Sequence, residues 1–263
     1  MQKLLVRQHG AVDRASNPQI AADEFTLLSA LRAVGLPVPA PYLVDQSGEI
    51  FATPYIVMEY VEGAVEAAPA NLPDFIEQSA AQLAAIHQVD AAALGLSFLP
   101  DQAALYRAKL AQRPEKLDNS LDEGRIRDVL EAHVPLLARN PAGLLHGDFW
   151  VGNLLWREGK IAVVIDWEDA KLGDPLADLG ISRLEMLWAF GSEAMQTFTE
   201  HYQAARPIDL THLPYWDLYA ALRPAFRIGD WAGDALVEAR MRDRHRWFIT
   251  QAFARLKAGS ADA

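Results

Sequence analysis

Apolar positions recur along this chain with two different periods. Residues 3–8 (KLLVRQ) read as a strand. Residues 21–34 place Phe25, Leu28, Leu31 and Val34 at a helical period. Gly35 and the prolines at 37, 39 and 41 end that helix. Residues 42–44 and 51–52 can pair as short strands across the Gln46-Ser47-Gly48 turn, and residues 55–61 (YIVMEYV) form an apolar strand. Phe75, Ile76, Leu83 and Ile86 lie on one face of an amphipathic helix over 72–89. Residues 90–125 are mixed and predict loops with short helices. Residues 125–138 read as a helix kinked at Pro135. Two strand-like runs follow, 152–156 and the β-branched 161–165 (IAVVI). The polar turn Arg157-Glu158-Gly159-Lys160 joins them into a β-hairpin. From Leu176 the chain is helical and rich in aromatics, with Leu176, Leu179, Leu184 and Leu187 setting the first face.

At 263 residues the chain can form one large domain or two lobes around a cleft. Hydrophobic content of 51% with 22% charged residues is that of a soluble globular protein. No apolar run approaches the roughly 20 residues that span a bilayer, and the first ten residues are too polar for a signal peptide. There is no cysteine, which excludes disulfides and thiolate metal sites. A cytoplasmic protein without membrane contact is expected. The net charge of −11 argues against a nucleic-acid partner, whose backbone needs basic patches, and is compatible with a cationic small substrate.

Candidate chemistry concentrates at the hairpin. Asp148 and Asn153 lie at the entry of its first strand and Asp166 follows its second. An antiparallel hairpin returns its exit beside its entry, so the three side chains should converge. Two carboxylates and an amide oxygen are hard ligands suited to Mg²⁺ with bound phosphates. Singly, each is an ordinary turn residue; jointly, they point to chemistry. Dinuclear metallophosphoesterases share a Gly-Asp-xxxx-Asn pattern but need further His and Asp ligands, and the seven histidines here are dispersed through the chain.

The order His146-Gly147-Asp148-xxxx-Asn153, Ile165-Asp166-Trp167-Glu168, Gly173-Asp174-Pro175 and Asp178 resembles the aminoglycoside phosphotransferase and choline kinase superfamily of kinase-like phosphotransferases. The resemblance implies an α+β, protein-kinase-like bilobal fold. A small N-terminal nucleotide lobe (1–61) would precede a larger, mostly helical lobe (62–263). It implies ATP- or GTP-dependent transfer of the γ-phosphoryl group to a hydroxyl of a small molecule. Asp148 would accept or orient the hydroxyl proton, with His146 supporting its loop by hydrogen bonding. Asn153 and Asp166 would hold Mg²⁺. Arg7 would stand where relatives carry a phosphate-contacting lysine, paired to Glu24. Glu59 and Val61 would present backbone groups to the base, and Met58 would line its pocket. Glu168 reads either as a supporting acid or as a surface charge. His87 reads as a packed, hydrogen-bonded histidine, and Asp174 and Asp178 as helix caps.

Glu185, Asp217 and Asp230, interspersed with the late aromatics, would form a wall for a substrate amine. Kinase-like folds place a phosphate-covering hairpin before the lysine strand, and two residues precede Lys3 here. The expectation is an abbreviated lobe or a start assigned too late. The rival function is a pseudokinase-like binding module, for which an intact Asp148, Asn153 and Asp166 would serve no purpose.

Overall fold

The computed structural model of the chain describes residues 3–133 and 139–261. It opens with a three-stranded antiparallel sheet in which β3 (Tyr55–Glu59) lies between β1 (Leu4–Arg7) and β2 (Pro41–Asp45). Helix α1 (Ala11–Ser16), absent from the sequence reading, and α2 (Ile20–Ala33) connect β1 to β2. Period-2 alternation in β3 turns Ile56 and Met58 inward, and both are buried. They belong to one apolar cluster with Leu27, Leu28 and Leu31 of α2. Leu4 pairs with Glu59 and Arg7 with Ile56, which carries the Arg7 side chain to the end of the sheet.

The predicted strand at 51–52 does not form. β2 pairs directly with β3, Asp45 opposite Tyr55, so 46–54 becomes the connection. The next elements are β4 (Ala64–Val65), α3 (Leu72–His87), α4 (Gln102–Ala111) and α5 (Glu123–His133). The helix expected over 125–138 is therefore observed to His133. Its remainder, with the kink expected at Pro135, lies outside the described residues.

β5 (Gly143–Leu145) leads into the motif. The hairpin is present as β6 (Leu154–Arg157) and β7 (Lys160–Val164), displaced from its predicted limits. Gly152 and Asn153 belong instead to the 3-10 turn Val151–Asn153. Glu158 and Gly159 both take positive φ, 54° and 72°, the conformation a two-residue hairpin turn needs to match strand twist.

β8 (Lys171–Gly173) pairs back onto β5, placing the two ends of the motif side by side. β4 extends the hairpin sheet alongside β6. The chain then becomes helical: α6 (Leu176–Phe190), α7 (Ser192–Ala205), α8 (Leu213–Ala220), α9 (Ile228–Ala232) and α10 (Ala235–Ala261). Apolar faces of α3, α6, α7 and α8 pack on one another, with Leu83, Leu184, Phe198 and Trp216 all buried. The fold is thus a small sheet lobe followed by a larger helical one. Pro37 O accepts a hydrogen bond from Val164 N at 2.7 Å between them. No described helix is long and apolar enough to cross a membrane.

Candidate active site

The loop between β5 and β6 carries the first cluster. At Gly147, φ is 86°, and a Cβ would lie 2.1 Å from Asp169 O, so only glycine fits. This close approach holds the 147 loop against the segment that follows Asp166. His146 is fully buried; its Nε2 donates to Ile165 O at 3.0 Å, which leaves Nδ1 to accept from Asp148 N at 3.3 Å. Burial lowers the His146 pKa and favours the neutral ring.

Asp178 was expected to cap a helix. It sits instead within the first turn of α6, fully buried, with its carboxylate facing the loop. It accepts from His146 N at 2.7 Å and Gly147 N at 3.0 Å. His87 Nε2 reaches it at 3.2 Å, and the Tyr202 hydroxyl donates to His87 Nδ1 at 2.7 Å. Burial works against the Asp178 charge, yet its pKa is lowered, because the hydrogen bond from His87 favours the ionised form. Asp174 does act locally, accepting from Leu176 N at 3.0 Å and from the Asn140 amide at 3.1 Å.

This support brings Asp148 and Asn153 together. Asn153 Nδ2 donates to Asp148 O at 2.8 Å and lies 3.4 Å from Asp148 Oδ2, which leaves Asn153 Oδ1 for another ligand. Asp166 follows β7 in a left-handed conformation (φ 68°, ψ 61°), one residue after Ile165, whose N–H binds Asn153 O at 3.0 Å.

Arg7 ties the sheet lobe to this point. Its Nε lies 3.1 Å from Glu24 Oε2, and its Nη2 lies 2.8 Å from Asp166 Oδ1 and 2.7 Å from Glu168 Oε2. His9 Nε2 is 2.6 Å from the same Glu24 oxygen. Glu168 is thus a partner of Arg7. Beside Arg7 a cavity of about 170 Å³ opens, lined among others by Glu24, Met58, Glu59, Val61, Leu155 and Asp166.

Asn153 and Asp166 fit Mg²⁺ in kind, since the ion takes oxygen donors and is usually held by one or two carboxylates plus phosphates. No three acidic or histidine side chains among the described residues form a metal cage without such help.

Arg223, between α8 and α9, was not anticipated. Its Nη2 donates to Asp148 Oδ1, and its Nη1 lies 4.0 Å from Glu185 Oε1. Glu185 therefore belongs to the Asp148 neighbourhood. Burial pushes its pKa up, Arg223 opposes this and Asp148 assists it, to about 7.

Asp217 requires correction as a substrate residue. It is fully buried, and Arg183 grips it at 2.9 and 3.0 Å while Gln251 adds a contact at 2.9 Å. Asp217→Ala is expected to destabilise the fold by about 3–5 kcal/mol, because Arg183 would be left buried and unpaired. Denaturant unfolding checks this; a loss below about 1 kcal/mol would contradict the structural role. Asp230 is exposed on α9, outside the contacts that join Asp148, Arg223 and Glu185. Of the expected aromatic wall, Phe198, Tyr202 and Trp216 are core residues.

A two-lobed fold, with an Asp–Asn loop and a following Asp at the mouth of its central hairpin, defines a kinase-like phosphotransferase. Residues 3–224 match the model of the Phosphotransferase enzyme family, and the chain belongs to that family.

Among solved structures, a Ralstonia eutropha protein assigned as an aminoglycoside phosphotransferase shares 19% identity. The match covers 98% of this chain and 87% of that one, with a TM-score of 0.66. The macrolide 2'-phosphotransferase MphH of Brachybacterium faecium shares 19% over 92% and 84% of the two chains, with a TM-score of 0.61. A thermostable mutant of aminoglycoside phosphotransferase APH(4)-Ia, solved with AMP-PNP and hygromycin B, shares 16% over 86% and 82%, with a TM-score of 0.59.

Curated relatives include acyl-CoA dehydrogenase family member 11 of Rattus norvegicus, 26% identical over 76% of this chain and 29% of that protein. Family member 10 of Mus musculus is 31% identical over 61% of this chain and 16% of that protein. The chain spans less than a third of the length of these relatives.

Proposed function

We propose that this protein transfers the γ-phosphoryl group of ATP to a hydroxyl of a small molecule. The observation that supports it most is the anchored Asp148, touching Asn153 on one side and Arg223 on the other. The lobes would divide near residue 62, with the base against Glu59 and Val61 and beside Met58. Arg7, steadied by Glu24, would meet the phosphates.

Asn153 and Asp166 would hold Mg²⁺, which when bound neutralises charge on the β- and γ-phosphates. Asp148 would orient the acceptor hydroxyl and take its proton. Asp178 and His146 would act only by fixing the position of that loop. Positioning and charge stabilisation carry such a reaction, and no covalent enzyme intermediate is required.

Nucleotide binding is tested by thermal melting. Mg²⁺ with ATP or AMP-PNP at about 100 times Kd should raise Tm by roughly 5–10 °C. Asp166→Ala should remove the Mg²⁺-dependent part of that shift. Comparing ATP with GTP in the same assay sets the nucleotide preference. The binding-module alternative draws on Arg7, which directly grips Asp166. It would be favoured by nucleotide stabilisation indifferent to Mg²⁺ together with no ADP release in the presence of any acceptor.

A further inference from the structure

Away from the cavity beside Arg7, several cations stand near one another. Arg223 meets Asp148 and is offset further by Glu185 and Asp169, and neither Arg223 nor Lys109 lines that cavity. Lys109, on α4, holds its ammonium 5.2 Å over the Tyr219 ring of α8. The charges that act on it are Arg223, Arg127 and Lys171, all of its own sign, and Glu123. Glu123 is already paired with Arg127 at 2.8 Å. Lys171 runs beside the 147 loop, its Cε 2.7 Å from where a Gly147 Cβ would stand. Lys109 keeps an exposed face on α4, and partial desolvation together with these like charges lowers its pKa. Gathering cations in one wall costs free energy that an anionic ligand would offset.

Resting on the phosphotransfer reading, we propose that the acceptor is an anionic hydroxyl compound whose carboxylate or phosphate group seats on Lys109 and Arg223 beside Asp148. This is opposite in sign to the amine expected from net charge and from an acidic wall. Two acids of that wall, Asp217 and Asp230, stand elsewhere. In the step itself, the acceptor oxygen bonds to the γ-phosphorus as the bond from that phosphorus to the β,γ-bridging oxygen breaks. ADP leaves with that oxygen, and the hydroxyl proton passes to Asp148 and then to solvent.

The test uses ω-hydroxycarboxylates, ω-hydroxyalkyl monophosphates, ω-amino alcohols and diols of three to eight carbons, with Mg²⁺·ATP and ADP release as readout. An anionic series should exceed the amino alcohols and diols at least tenfold in kcat/KM, and the better of the two names the group. Lys109→Gln should raise the acceptor KM at least tenfold with little change in kcat, and Lys109→Arg should restore it.

Glu185 supplies a second readout, since Arg223 and Asp148 face it and its carboxyl titrates near 7. Its deprotonation adds negative charge to the wall. The KM of the hydroxycarboxylates, whose own charge is constant in this range, should therefore rise between pH 6 and 8, and Glu185→Gln should flatten that rise. Preference for amino alcohols or diols overturns the proposal, as does an effect of Lys109→Gln on the KM for ATP alone. If no series turns over, melting with Mg²⁺·AMP-PNP decides: no added stabilisation by either anionic series overturns it. The shift with nucleotide alone, from the same runs, reports separately on phosphotransfer.

Discussion

Asp148→Asn is expected to lower kcat by roughly 10²–10⁴, the usual contribution of a positioned general base. Affinity for Mg²⁺·ATP should stay within about twofold. The substitution preserves volume, and an Asn oxygen can still accept from Arg223, so the loop should hold its shape. It removes the carboxylate proposed to take the proton. The cavity beside Arg7, Arg7 itself and Asp166 all lie on other elements and should be unaffected. Steady-state ADP release and a nucleotide melting shift, measured on one preparation, check both halves. Wild-type turnover by this variant would remove Asp148 from the chemistry.

Asp178→Ala should damage both fold and activity, and the size of the damage separates two roles. A lost helix cap costs about 1 kcal/mol. Here the carboxylate serves two buried backbone N–H groups and the His87 ring. Stranding those three donors costs about 1–3 kcal/mol each, so about 3 kcal/mol or more in all. That is a large share of the roughly 5–15 kcal/mol that separates folded from unfolded domains. Folded protein that remains should show reduced kcat, because the 146–148 loop loses its anchor. Asp178→Asn, which keeps one acceptor oxygen, should recover part of the stability. Denaturant midpoints for the two variants measure this, and a loss near 1 kcal/mol would return Asp178 to the capping role.

The local parts of this site were legible in the order of residues. Asp148 and Asn153 are five positions apart, and the hairpin returns the chain to Asp166, so their proximity follows from short-range geometry. The pairing of Arg7 with Glu24, implied by the family resemblance, is also short in range, one strand and the second helix after it. The hairpin limits moved because Gly152 and Asn153 entered a tight turn, which a two-residue alternation of apolar residues does not reveal.

Other assignments depended on contacts far apart in sequence. Asp178 carries the usual features of a residue opening a helix, and its real partners stand 31 and 32 positions earlier. Asp217 looked available among aromatics until Arg183 was seen to hold it. Arg223 reaches Asp148 across 75 positions, and Glu168 reaches Arg7 across 161. Nothing in a linear pattern marks such pairs, since any acid can serve any base that packing brings near.

Taken alone, the amino-acid sequence determined most of the strands and helices, the hairpin and the carboxyl and amide groups at its mouth, because periodicity, turns and closely spaced residues act over a few positions; the two lobes were implied only by a family resemblance. Only the tertiary structure decided which charges support the loop, which are sealed in the core and which gather beside Asp148, because charge partners and burial are set by the packing of distant helices.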